Sequence, residues 1–296
     1  MLAQTMAEST QALPVKHYEN FPVASWLCPP RLRAPIAAIY HFARCADDLA
    51  DEGDAQAAQR LSDLQAFQAD LSACAERRPH SGRWPVVFDT LGPVIVRFEL
   101  PVTPLTDLLE AFTQDVRYTA ARRRYQDDAE LLDYCRRSAN PIGRLLLHLY
   151  GVHDERSLKQ SDQICTALQL VNFWQDLSVD TPRSRWYPSR QSMAALAVVD
   201  ADLLGHGNTA RAALLIEAYC AQARSLMLAG ASLALRIPGR AGWELRLVVQ
   251  GGLRILDKIQ TMHHETWRAR PKLAWVDVPL LLWRAARMRP TSASRE

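Results

Sequence analysis

Gln169-Leu170-Val171-Asn172-Phe173-Trp174-Gln175-Asp176-Leu177-Ser178-Val179-Asp180 is the stretch that decides how this chain folds. As a helix it stacks Asn172, Asp176 and Asp180 at i, i+4 and i+8 along one face, with Gln169 one turn upstream. The surrounding positions are mostly apolar: Ile164, Ala167, Leu168, Leu170, Val171, Phe173, Trp174 and Leu177. A carboxamide and two carboxylates on such a helix are costly to bury without compensation. Taken alone, the spacing fits a solvated helix face as well as a site.

A second acidic group with the same chemistry lies far upstream, in Tyr40-His41-Phe42-Ala43-Arg44-Cys45-Ala46-Asp47-Asp48-Leu49-Ala50-Asp51-Glu52. On a helix Asp47 and Asp51 share a face, and Asp48 follows Arg44 by one turn. Two such helices facing one another repel unless cations lie between them. Hard oxygen ligands suit Mg²⁺, which is usually held by one or two carboxylates together with substrate phosphates. The two clusters therefore predict metal-dependent diphosphate chemistry.

The rest of the chain supplies the scaffold. With 296 residues, 48% hydrophobic and 23% charged, it can bury a sizeable core. A net charge of +3 gives no ground for nucleic-acid binding. Of the 35 basic residues all but four are arginine, the better fork for phosphates. The six cysteines are scattered without a C-x-x-C pair, which suits reduced core cysteines and a cytoplasmic protein. No signal peptide and no apolar run long enough to span a membrane is evident.

Residues 1–14 are expected to form a flexible leader, 15–290 one helical domain, and 291–296 a flexible tail. Helical patterns run over about 33–50, 55–77, 84–98, 104–115 and 128–150, then through the second acidic cluster, and over about 208–235 and 241–268. Asp128 and Asp154 are expected as helix caps. The near-continuous apolar character of Trp243–Ile259 predicts a central helix. No period-two strand pattern is present, so the fold class is all-α. The tail Asp277–Arg289 mixes an apolar run with three arginines; it predicts either a final helix packed on the bundle or peripheral contact with an anionic membrane face.

Competing motifs are weak. Gly205-His206-Gly207-Asn208-Thr209-Ala210 fits a loose dinucleotide fingerprint but lacks the strand that must precede it. Arg122-Arg123-Arg124 is expected as a solvated face, with a diphosphate gate as the alternative.

The chain resembles the squalene/phytoene synthase family from about His17 to Arg289. The resemblance rests on Tyr40-x-Phe42-x-Arg44-x-x-Asp47-Asp48-x-x-Asp51, on Tyr134 with Ala139-x-x-Ile142-Gly143, and on Gln169-x-x-Asn172-x-x-x-Asp176-x-x-x-Asp180. His17–Ser25, Ser138–Arg144 and Asn172–Asp176 look most like the bacterial hydroxysqualene synthases of hopanoid pathways.

That resemblance implies an isoprenoid-synthase-type bundle around a central apolar cavity. It assigns Mg²⁺ to Asp47, Asp48, Asp51, Asn172, Asp176 and Asp180, with Asp47, Asp51, Asp176 and Asp180 carrying catalysis. Arg44 and Arg185 would hold a prenyl diphosphate, with Tyr187 beside them, and Phe21, Tyr40, Gln169 and Phe173 would line the chain pocket. It implies ionisation of presqualene diphosphate, rearrangement of the cation and capture by water, with no NADPH and with companion hopanoid-pathway enzymes as partners. The alternatives are a head-to-head transferase joining two farnesyl or geranylgeranyl diphosphates, and a non-catalytic scaffold. Two departures from the family pattern stand out. Gln175 occupies a position where many relatives carry arginine, and Arg185-Trp186-Tyr187-Pro188 is one residue shorter than the family's Arg-x-Tyr-x-Pro.

Overall fold

The computed structural model describes residues 28–289 of the chain. Among these it contains helices and connecting loops but no strand. The helices are α1 (Pro30–Asp51), α2 (Ala57–Ala75), α3 (Pro85–Phe98), α4 (Thr103–Ala121), α5 (Asp128–Ser138), α6 (Asn140–Leu149) and α7 (Glu155–Gln175). They continue with α8 (Leu177–Asp180), α9 (Arg190–Ala195), α10 (Asp200–Leu203), α11 (Thr209–Gly230), α12 (Leu233–Arg236), α13 (Gly239–Thr261) and α14 (Val278–Arg287). Trp275–Asp277 forms a 3₁₀ turn leading into α14.

Two apolar cores hold these elements. One gathers α1–α4 around Phe42, Phe67 and Phe88, whose rings lie 4.8–6.3 Å apart. The other surrounds α7 with residues of α5, α11 and α13. Its largest member, Trp174, is fully buried and stacks on Tyr219 of α11 at 4.1 Å. Burying side chains of this size contributes roughly 1.5–3 kcal/mol each. α6 joins the cores, giving Leu145 and Leu149 to the first and Leu147 to the second.

α7 is the central helix, packed by α5, α6, α11, α12 and α13. Glycines let its neighbours approach. A Cβ on Gly143 of α6 would collide with Ser161 Oγ and meet Cys165 Sγ at 2.6 Å, and one on Gly230 of α11 would meet the Gln160 carbonyl at 2.6 Å. The expectation that Trp243–Ile259 forms the central helix is corrected. The first half of α13 is half-buried, with Trp243 exposed and Leu245 and Val248 on a cavity wall. Only the second half, from Val249 to Ile259, is deeply set in the second core.

Other boundaries also shift. The expected helix 128–150 breaks at Ala139, whose backbone leaves the helix at φ −120° and ψ −47°. Pro141 suits the break, since it lacks the N–H that would bond back into α5 and is tolerated in the first turn of a new helix. Asp127, not Asp128, caps α5 by accepting from the Glu130 amide; Asp154 caps α7 as expected, accepting from the Ser157 amide. Asp128 instead accepts from Ser189, Ser192 and Tyr219 hydroxyls, tying α5 to α9 and α11. The pattern over 208–235 divides into α11 and α12. The pattern over 241–268 stops at Thr261, where His263 and His264 adopt left-handed backbone angles. The leader 1–14, the segment His17–Ser25 with Phe21, and the tail 291–296 lie outside the described residues.

Candidate active site

The last two turns of α1 carry Arg44, Asp47, Asp48 and Asp51. Arg60 of α2 fixes this helix end by donating to the carbonyls of Leu49, Glu52 and Gly53, at 3.3, 2.9 and 2.7 Å. A cation there complements the negative end of the helix dipole and immobilises the acids upstream. Oxygens of Asp47, Asp48 and Asp51 lie within 4.8 Å of one another. Arg44 folds back along its own helix, 3.1 Å from Asp47 and 2.6 Å from Asp48.

The second cluster sits where α7 ends. Asp176 leaves ideal helical angles at φ −101° and ψ 12°, yet its amide still bonds the Asn172 carbonyl at 2.9 Å. The Asp180 amide bonds the Asp176 carbonyl at 2.9 Å, so the predicted i, i+4, i+8 ladder survives a local kink. The following loop turns back through Thr181–Arg183, and the Arg185 amide bonds the Asp180 carbonyl at 3.0 Å. That turn sends the Arg185 guanidinium across to α1, where Nη2 donates to Asp51 Oδ2 at 2.7 Å. A residue following the second cluster thus grips the first.

The electrostatics follow from this crowding. Desolvation, then Asp51, pushes the Asp47 carboxyl up to about 6; desolvation and Asp176 push Asp180 up to about 6. Arg185 and other nearby guanidinia oppose both shifts without cancelling them. Arg185 itself is held more firmly protonated than usual by Tyr187 and the surrounding carboxylates, against the opposing effect of its own burial.

Two participants were not anticipated from the sequence. Asp115 of α4 accepts from the Tyr134 hydroxyl at 2.5 Å, and burial raises its carboxyl to about 7 despite Arg185 nearby. Its signal was an acid placed three and four residues after Phe112 and Ala111, within the apolar stripe of α4. Arg270, in the loop after α13, donates to Asp176 Oδ1. Gln175 supports that contact, since its carboxamide donates to the Pro271 carbonyl at 2.6 Å and is itself buried. Where the family pattern has arginine, this chain therefore has an amide beside a cation delivered by another loop. A loop residue without periodic context gave no signal for Arg270.

An apolar cavity of about 100 Å³ lies among α1, α6, α7, α12 and α13, walled by Ile36, Leu146, Ile164, Leu168, Leu245 and Val248 among others. Tyr40 follows Ile36 by one turn of α1, and Gln169 follows Cys165, another wall residue, by one turn of α7. Both thus stand on the path along their helices from cavity to acids. Phe173 points into the second core, stacked on Tyr187 at 3.7 Å, with Tyr134 6.2 Å away. Of the basic run, Arg123 pairs with Glu130 and Arg124 with Asp200, so both serve the scaffold.

A divalent cation fits the residues of α1. Three carboxylates converge there, and Asp51 Oδ1 is buried without a hydrogen-bond partner among the described residues. Leaving such an oxygen unsatisfied is costly, and a hard cation would satisfy it.

The squalene/phytoene synthase profile matches residues 15–277. The chain is 32% identical over 245 residues to the hydroxysqualene synthase of Sinorhizobium fredii, covering 82% of this chain and 79% of that one. It is likewise 32% identical to the hydroxysqualene synthase of Rhodopseudomonas palustris, covering 82% and 80%. The crystal structure of the squalene synthase HpnC from Alicyclobacillus acidocaldarius superposes with a TM-score of 0.74 at 32% identity, covering 84% of this chain and 90% of that one. Match, fold and paired acidic helices agree, and the chain belongs to the squalene/phytoene synthase family.

Proposed function

We propose that this protein converts presqualene diphosphate to hydroxysqualene with the help of Mg²⁺. The observation that carries the reading is the Arg185–Asp51 contact, which ties the loop after the second acidic cluster to the first across 134 residues of sequence. The similarity to hydroxysqualene synthases supports the choice of substrate.

Asp47, Asp48 and Asp51 on one side, and Asn172, Asp176 and Asp180 on the other, would hold the metal ions. Bound Mg²⁺ supplies Lewis-acid stabilisation of the departing diphosphate. Arg185 and Arg270 lie among the acids as fixed positive charges, preorganised to oppose the charge that develops as the C–O bond breaks. Arg44, now turned onto Asp47 and Asp48, is placed to exchange those partners for phosphate oxygens. The apolar cavity, about 100 Å³ without a substrate, would take the first part of the prenyl chains, and its walls would keep bulk water from the cation while it rearranges. Tyr40 and Gln169 stand between the two regions. Aromatic faces such as that of Tyr40 stabilise a nearby cation by roughly 0.5–2 kcal/mol without attacking it. Water then closes the reaction, so no nicotinamide is needed.

Product analysis by gas chromatography and mass spectrometry tests this. Purified protein receives Mg²⁺ and either presqualene or farnesyl diphosphate, each with and without NADPH. Hydroxysqualene from presqualene diphosphate, indifferent to NADPH, is the expected outcome. Formation of presqualene diphosphate or a longer condensed product from an allylic diphosphate alone would instead make the protein a transferase.

A further inference from the structure

α14 hides only part of its apolar surface on the bundle. In Val278–Arg287 Ala285 alone is fully buried. Val278, Leu282 and Trp283 are each about half exposed, and the preceding 3₁₀ turn adds Val276 and Trp275, the latter 82% exposed. Positions 275, 278, 279, 282, 283 and 286 follow helical spacing along one outward side. A continuous exposed apolar face of this kind marks an interaction surface.

Ion pairs hold the platform in this attitude. Buried Asp277 accepts from Arg254 at 2.8 Å and Lys258 at 2.6 Å, both on α13, and Arg284 donates to Asp257 at 2.7 Å. The helix is thus fastened by Ala285 and these ion pairs, with Met288 packed on the second core, and a further apolar side, Val278, Leu282 and Trp283, is left facing outward.

The charge around the face identifies its occupant. From Arg268 to Arg289 the chain carries six cations and one acid, Asp277. Arg268, Arg270 and Arg284 are paired with carboxylates, as Asp277 is with Arg254 and Lys258, which leaves Lys272, Arg287 and Arg289 as the positive rim of the face. The Arg287 guanidinium lies over the Trp283 ring at 4.7 Å, leaving an aromatic plane and a positive charge side by side. Trp with Arg or Lys belongs at the headgroup level of a bilayer. A symmetric contact with a second copy would set this cationic rim against itself. The face also adjoins the acidic site: Arg270 contacts Asp176, and Trp275 follows five residues later, at most about 18 Å of chain. Among the described residues no helix is long and apolar enough to cross a membrane, so attachment here is peripheral.

We propose that the Trp275–Arg289 platform docks the protein on an anionic phospholipid surface. The test is flotation of the full chain with vesicles of phosphatidylcholine, alone or mixed with phosphatidylglycerol, at low and high salt; it needs no turnover, so its outcome is separate from that of the substrate assignment. The wild type is expected to float with the anionic vesicles and to be released by salt. R287Q/R289Q should weaken partitioning by roughly fivefold per charge removed. W275S/W283S should abolish it with an unchanged melting temperature, both rings being exposed. Failure to float with anionic vesicles, or equal flotation of the wild type and both variants, overturns the proposal. So does light scattering that finds a wild-type dimer split by W275S/W283S, which makes the face a subunit contact.

Discussion

Asp176 carries the most concentrated role of any single residue. Its backbone extends the α7 ladder toward Asp180, while its side chain meets Arg270. Asp176→Asn keeps the shape and removes the charge. Turnover should fall about 100-fold or more, the scale of several kcal/mol of transition-state charge stabilisation, with the circular-dichroism spectrum unchanged. Wild-type turnover in that variant would remove Asp176 from the metal site. Asp115 belongs at the same scale but acts differently. With its carboxyl raised to about 7 and the Tyr134 hydroxyl at 2.5 Å, it is half protonated near neutral pH in the metal-free protein. Asp115→Asn mimics the protonated form and should raise the metal-free melting temperature at pH 7.5, by less at pH 5, and hardly at all below about pH 4, where the folded and unfolded carboxyls are both protonated.

At the scale of elements, the loop after α13 reaches the site because one buried amide holds it. Gln175→Ala leaves the Pro271 carbonyl without its partner, a loss of about 1–3 kcal/mol. Hydrogen exchange should accelerate across 268–274 before it changes in α7, and KM should rise as Arg270 loses its fixed position. Unchanged exchange in that loop would mean other contacts hold it. The α6–α7 contact gives a second test. Gly143→Ala forces a Cβ against Ser161 Oγ and Cys165 Sγ, so these side chains must turn away or the helices part, at a cost of roughly 1–3 kcal/mol in urea unfolding.

Across the whole molecule, the acids of the site make stability depend on pH and metal together. Asp47 and Asp180 titrate near 6 and Asp115 near 7 in the folded chain, against about 3.8 when unfolded. Their raised values mean the folded state binds more protons between pH 4 and 7. The stability they contribute is complete below about 4 and is lost as pH rises through 6 and 7. In chelator the melting temperature should therefore fall over that window. Saturating Mg²⁺ should reverse the trend, because the metal binds the deprotonated carboxylates, and should raise the melting temperature by a few degrees at pH 7.5. Identical pH profiles with and without Mg²⁺ would show that these acids do not bind it.

The sequence by itself determined the all-α class, the main helices and both acidic ladders. Those features are local: Asn172, Asp176 and Asp180 share a face by helical spacing, and so do Asp47 and Asp51, before any long-range packing. Tertiary structure decided which helix is central, because an apolar run such as Trp243–Ile259 cannot declare whether it faces side chains or a cavity. It decided that Arg185 crosses to Asp51, and that the Gln175 amide holds the loop from which Arg270 meets Asp176. It also left Val278, Leu282 and Trp283 of α14 outward, on a helix held by ion pairs to Asp277 and Asp257 that no periodicity encodes. Loops carry no repeat from which their path could be read, and a charge pair across 134 residues exists only once the chain has folded around it.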